Sequence, residues 1–341
     1  MEQRLQKQKG MTLVELMIAL VLGLIVTGVV IDMFLSSRQM YRVQDARARL
    51  QENGRYAIEH IAKQIRKAGY GGCATRSANQ SDTSLITNTL NTAYQWDFET
   101  GIQGFDASGA IWSPTKDDSI TGPGPDTGTD ILTIRTMVDP VIEVVGHVAS
   151  AMKDGSAAIQ IKAPHSLAVT DIVMVTDCYK SAVFQISSIN NIAENVGLSH
   201  AAGNAPVPGN STTSLGKNYE GADLVKLTTT SFYISGSSLQ QRIFNNSEEL
   251  IQGIENMQIL YGIDTGVDEI VDDYVPASVV TDWGDVLSVR VSLVMVTEEE
   301  NLTVDGPQDY RLNDTMVTPA AGDSRLRETF TRTVSLRNRM P

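Results

Sequence analysis

Cysteine is scarce: only Cys73 and Cys178 occur in 341 residues. Two thiols are too few for a disulfide-dense scaffold or a four-ligand zinc site, and they leave room for one structural disulfide if the head lies in an oxidising compartment. Histidine is also sparse, with His60, His147, His165 and His200 alone. None falls in an H-E-x-x-H motif or near a cysteine pair, so a zinc hydrolase has no support. Neither a G-x-S-x-G elbow nor a phosphate-binding loop occurs. The chain therefore reads as non-enzymatic and without a cofactor, and His60 as a helix-surface residue. Basic charge is in deficit, giving a net charge of −13. The deficit is local: residues 33–68 carry eight Lys/Arg and three Asp/Glu, whereas residues 69–341 carry 16 and 34. An acidic head repels phosphate backbones, which argues against nucleic acid as a partner for most of this surface.

Long apolar runs are absent but for one. From Met11 to Ile31 the chain reads MTLVELMIALVLGLIVTGVVI, with Glu15 as its single charge. At about 1.5 Å per residue, a helix of this length crosses a hydrocarbon core of roughly 30 Å. Arg4, Lys7 and Lys9 precede it and favour a cytoplasmic N-terminus with the remainder outside. A secretory signal peptide would show a small-residue cleavage site after the apolar core, and the sequence DMFLSSRQMYR that follows Ile31 offers none. A generic single-pass anchor explains the span but not Glu15, because a carboxylate at membrane depth is costly and needs a partner or a function.

Beyond the span, apolar or small residues recur at Met40, Val43, Ala46, Leu50, Gly54, Ala57, Ile58, Ile61, Ile65 and Ala68. Steps of three and four predict one apolar helical face, stopped by Gly69, Gly71 and Gly72. One helix of more than 50 residues follows, with Gly23, Gly28 and Gly54 as points of bending or close packing. From Gly69 onward the pattern changes to short β-branched runs between turn signals. Strands are expected at 130–137, 141–148, 157–163, 171–176, 182–189, 223–234, 239–244, 254–263, 286–296 and 330–336, with a hairpin closed at Ser235–Ser238. Residues 74–130 and 199–218 are rich in turn formers and read as variable loops. The expected fold is α+β: a long N-terminal helix packed on a large antiparallel β-rich head. The acidic stretch 264–274 offers Asp264, Asp268 and Asp272 as weak Ca²⁺ ligands, but its spacing departs from the EF-hand loop, and a solvated acidic loop is the better reading.

The segment Lys9-Gly10-Met11-Thr12-Leu13-Val14-Glu15-Leu16 resembles the prepilin signature of type IV pilins and type II pseudopilins. The resemblance implies cleavage by a prepilin peptidase between Gly10 and Met11, with N-methylation of Met11, where the family usually has Phe. It also implies that Glu15 faces the N-terminal amine of a neighbouring subunit, a pairing strongly favoured in low dielectric. Three further stretches, RLQENGRYA at 49–57, IRKAGYGGC at 65–73 and GIENMQILYG at 253–262, together with TVSLRNR at 333–339, resemble the PilW family of minor pilins. The central segment, TDC at 176–178 followed by VFQI at 183–186, also resembles that family, so Cys73 and Cys178 both lie inside matching segments, which implies a disulfide between stem end and head. It would close a loop of roughly 100 residues, worth ~4–5 kcal/mol in a chain-entropy account.

The family implies a domain order of leader 1–10, transmembrane helix 11–32, amphipathic stem 33–69 and periplasmic head 70–341. It implies a protein of the bacterial inner membrane that passes into the pilus and primes its assembly at or near the tip, in the service of twitching motility. Expected partners are other minor pilins, the major pilin, the prepilin peptidase, the inner-membrane assembly platform and a pilus-tip adhesin. A minor pseudopilin of a type II secretion system, and a tip module that binds a surface ligand, are the alternatives.

Overall fold

The computed structural model describes residues 11–69, 86–91, 93–147, 156–192, 194–204, 206–266, 268–303, 306–313, 315–336 and 338. One helix, α1 (Leu13–Ile65), has 53 residues and so runs about 80 Å. Eighteen strands follow among the described residues. They are β1 (Ile86–Asn88), β2 (Ile102–Ser108), β3 (Ile111–Ser113), β4 (Ile131–Gly146), β5 (Ile159–Lys162), β6 (Ile172–Thr176), β7 (Ser181–Gln185), β8 (Ser188–Ile192) and β9 (Asn195–Ser199), then β10 (Asp223–Ser235), β11 (Ser238–Ile243), β12 (Asn246–Gln252), β13 (Ile254–Ile263), β14 (Asp273–Val275), β15 (Val286–Val296), β16 (Tyr310–Leu312), β17 (Thr315–Val317) and β18 (Arg327–Ser335).

Two main sheets divide the head, beside a small antiparallel pair, β16-β17. The smaller has the order β14-β13-β15-β18, all antiparallel, and α1 packs on it. Their shared core takes Leu50, Ala57, Ile61 and Ile65 from the helix and Met257, Val289, Val291 and Leu293 from the strands. The larger sheet has twelve strands, with the main path β1-β7-β6-β10-β4-β5-β9-β8. It is antiparallel except that β1 runs parallel to β7. Every residue of β6 and β7 is buried, because the two faces of these strands serve different cores. Val173 and Val175 join one cluster with Ile159 and Leu198, while Ile172 and Met174 join Trp96 and Leu227 in another. Alternation along a strand is what permits this double service.

The turn at 235–238 closes β10 onto β11 with Ser235 opposite Ser238. Gly236 and Ser237 both have positive φ, 58° and 59°, which matches the twist of the flanking strands. The break expected between 137 and 141 does not occur: β4 continues through Asp139 and Pro140. Lys226 pairs with Val138 and Leu224 with Ile142, so four steps on β4 match two on β10. Pro140 lies in that bulge, where a residue without an N–H removes no ladder bond. Residues 74–130 are not all loop either, since β1, β2 and β3 lie there. Residues 200–218 carry only isolated bridges among the described residues. On the stem, Met40 departs from the expected apolar face and is exposed; Val43 and Ala46 are the first of those residues to pack against the core of the head.

Candidate functional site

The first turn of α1 is built as a reciprocal cap. Thr12 is extended (φ −76°, ψ 153°) and its Oγ1 accepts the Glu15 N–H at 3.3 Å. The Glu15 carboxylate accepts the Thr12 N–H at 3.0 Å and the Thr12 hydroxyl at 3.0 Å. The arrangement satisfies N–H groups that a helix start leaves open and sets a negative charge at the positive end of the helix dipole. Residues 12–15, Thr-Leu-Val-Glu, carry the S/T-x-x-E signature, so this role of Thr12 was readable from spacing but was not among the expectations. Met11 is exposed beside the cap; Gly10 lies outside the described residues.

From Leu13 to Leu35 the large apolar side chains of α1 are all exposed. This stretch is long and apolar enough to cross a membrane. Gly23 and Gly28 face open space within the chain. Contact with the head begins at Gln39, whose Nε2 donates to the Asn301 carbonyl at 2.9 Å, and at Arg42, which meets Glu299 at 3.0 Å. Gly54 then lies against the Phe330 ring, where a Cβ would stand 2.3 Å from a ring carbon. Glu59 pairs with Arg332. His60 is not a free surface residue: its Nε2 lies 2.9 Å from Gln241 Oε1 on β11, and its ring stacks on Tyr56. The helix end is held by the Gly69 N–H on the Arg135 carbonyl at 3.0 Å and by Asn338 Nδ2 on the Ala68 carbonyl at 3.1 Å.

Two buried polar constructions brace the head, the first between its two main sheets and the second within the smaller one. Asp130 is nearly fully buried and accepts from the Ala107 N–H at 2.9 Å and the Ile259 N–H at 2.8 Å, one from each sheet. Burial pushes its carboxyl up to about 7, against the pull of those two donors. Arg327, with a side chain 1% exposed, forks onto Glu255 at 2.6 and 2.8 Å and reaches Asp323 at 2.6 Å. Arg325 and Arg327 together hold the Asp323 carboxyl well below the usual carboxylate range. Neither construction was expected from the sequence, because both depend on residues brought together from distant strands.

The acidic stretch is used internally. Asp264 accepts from the N–H groups of Gly266 and Glu269 at 3.0 and 2.7 Å, Asp268 from Ile270 at 3.1 Å, and Asp272 from Thr265 at 2.7 Å. Among the described residues no group of three or more His, Cys, Asp or Glu is placed to hold a metal, so Asp264, Asp268 and Asp272 are not assembled as ligands. Cys178 sits in the turn between β6 and β7 with φ 71°. Cys73, and with it the expected pairing with Cys178, lies outside the described residues.

The family model for the type IV pilus-assembly protein W matches residues 217–338. That for the prokaryotic N-terminal methylation motif matches residues 5–31. The first match runs from just before β10 to the residue that closes on the stem, and so contains the whole sheet against which α1 packs. No curated protein and no solved structure matches the chain.

Proposed function

Because the chain belongs to the PilW-family type IV minor pilins, we propose that it primes pilus assembly together with other minor pilins and resides at or near the pilus tip. The observation that carries this is the division of α1. Its first half is exposed along its length among the described residues, and its second half is built into the head. An apolar helix that its own chain leaves uncovered needs lipid or neighbouring helices as its surroundings. On this reading the prepilin peptidase cuts between Gly10 and Met11 and methylates Met11, and the inner-membrane assembly platform then extracts the helix. Glu15 exchanges its cap at Thr12 for the amine of a neighbouring subunit, which sets axial register. The role is assembly without catalysis.

The head supports a terminal position. Residues 86–216 supply nine of the twelve strands of the larger sheet, an added β layer whose bulk would crowd a helical shaft. The major pilin, the assembly platform and a tip adhesin are the partners this position implies. A disulfide from Cys73 to Cys178 would join the stem end to the added layer. The test is the amount of pilin sheared from cells that lack this protein, compared with wild type and a complemented strain. A large loss restored by complementation is expected. Unchanged surface pilin would overturn the priming role.

A further inference from the structure

The head reaches down α1 almost to the apolar stretch. Large exposed apolar side chains run from Leu13 to Leu35. At ~1.5 Å per residue that is about 34 Å of helix, close to the roughly 30 Å of a hydrocarbon core. Arg38 then stands about 4.5 Å beyond Leu35 along the axis, and Gln39 and Arg42 about 6 and 10 Å. The headgroup layer outside the core is roughly 5–8 Å deep and takes in Arg38. The loop 298–301, which meets Gln39 and Arg42, lies at the outer limit of that layer. Phe34, Arg38 and Tyr41 are exposed and, at spacings of four and three, share one helical face. The Arg38 guanidinium lies over the Phe34 ring, 5.4 Å from its centre, one turn nearer the span. That contact holds the cation at the depth of lipid phosphates, and aromatic rings beside a cation at the end of a span form an interfacial anchor.

We propose that the rim formed by Arg38 and the loop 298–301 is a phospholipid-headgroup site that selects a zwitterionic aminophospholipid, with Arg38 on the phosphate and Glu298 or Glu300 on the ammonium. The site rests on the reading of Leu13–Leu35 as a membrane span. Glu298, Glu299 and Glu300 are all exposed. Glu299 is taken by Arg42 at 3.0 Å, and the bond from Gln39 to the Asn301 carbonyl at 2.9 Å keeps the loop beside Arg38. Two carboxylates thus outweigh one guanidinium at this level, so a lipid of net negative charge is repelled. A zwitterion is matched at both ends. Its phosphate suits a guanidinium, and its primary ammonium donates charge-assisted hydrogen bonds to a carboxylate. A quaternary ammonium has no N–H to give. A lipid held in this way steadies the head at a fixed height above the bilayer, and passage into a filament must strip it away.

The test places the full chain in nanodiscs that hold equal amounts of phosphatidylethanolamine, phosphatidylglycerol and phosphatidylcholine with the same acyl chains. Native mass spectrometry then identifies the lipids that stay bound. Phosphatidylethanolamine should be retained about fivefold over the other two, the size of one interfacial charge contact. Arg38→Gln should remove this preference. The double variant Glu298→Gln/Glu300→Gln should shift retention towards phosphatidylglycerol, because Arg38 still holds phosphate and the repulsion is gone. These substitutions fall at exposed positions, and recovery of each variant in the disc fraction checks that it inserts. Equal retention of the three lipids by the wild type overturns the site, as does a preference for phosphatidylethanolamine that is unchanged in either variant. A wild-type chain that does not enter discs overturns the span itself, and the site with it.

Discussion

In the single chain the charge of Glu15 is balanced by the helix start and by Thr12; on the proposed reading the same oxygens take the amine of a neighbouring subunit in the assembly. Glu15→Val should therefore leave membrane insertion intact and abolish incorporation into filaments, scored by fractionation and by detection of the protein in sheared pili. Normal incorporation would remove the charge-pair argument. Asp130 poses a different residue-scale problem, because desolvation raises its carboxyl to about 7 despite two N–H donors. The folded chain then binds this proton more tightly than the unfolded chain. The Asp130 contribution is full below about pH 4 and is lost as pH rises through 7. Measured by denaturant unfolding, the stability advantage of wild type over Asp130→Asn should shrink between pH 4 and 7; parallel profiles would show that Asp130 does not titrate in this range.

At the scale of the element, α1 is two helices in one. The first part has apolar residues all round, as a span requires, and the second has a stripe that meets β13, β15 and β18. Gly54 marks the closest approach to Phe330. Glycine costs a helix about 1 kcal/mol relative to alanine, so its presence here reflects the space that the ring takes. Gly54→Leu should lower stability by roughly 1–3 kcal/mol through overpacking. Adding Phe330→Ala should return part of that loss, a non-additivity that a double-mutant cycle reads directly. Additive losses would mean that the contact is not what excludes a side chain at 54.

For the whole molecule, the question is what keeps a large added layer in fixed relation to a thin stem. Asp130 and the close contact between Gly104 and the Tyr261 hydroxyl join the two sheets. The proposed Cys73–Cys178 link would be a covalent third tie. Cys73→Ser should lower the stability of the oxidised protein by ~4–5 kcal/mol, and thiol titration of the denatured, unreduced wild type should find no reactive cysteine. Two titratable thiols there would remove the disulfide.

Local chemistry made much of this protein legible from its residues alone. The long apolar run, the amphipathic stem and the 236–237 turn follow from periodicity and turn preference, which act over a few residues and survive any tertiary context. The runs at 254–263 and 286–296 read directly as strands because their β-branched residues fit a buried pleat. Tertiary structure alone decided that β4 runs on through Pro140, since a bulge needs a partner strand to define it. It also decided that His60 meets Gln241, that Asp130 takes one N–H from each main sheet, and that Arg327 forks onto Glu255. Each of these depends on groups far apart in the chain, and only burial, by removing water as the competing partner, makes such a meeting of polar groups worth its cost in order.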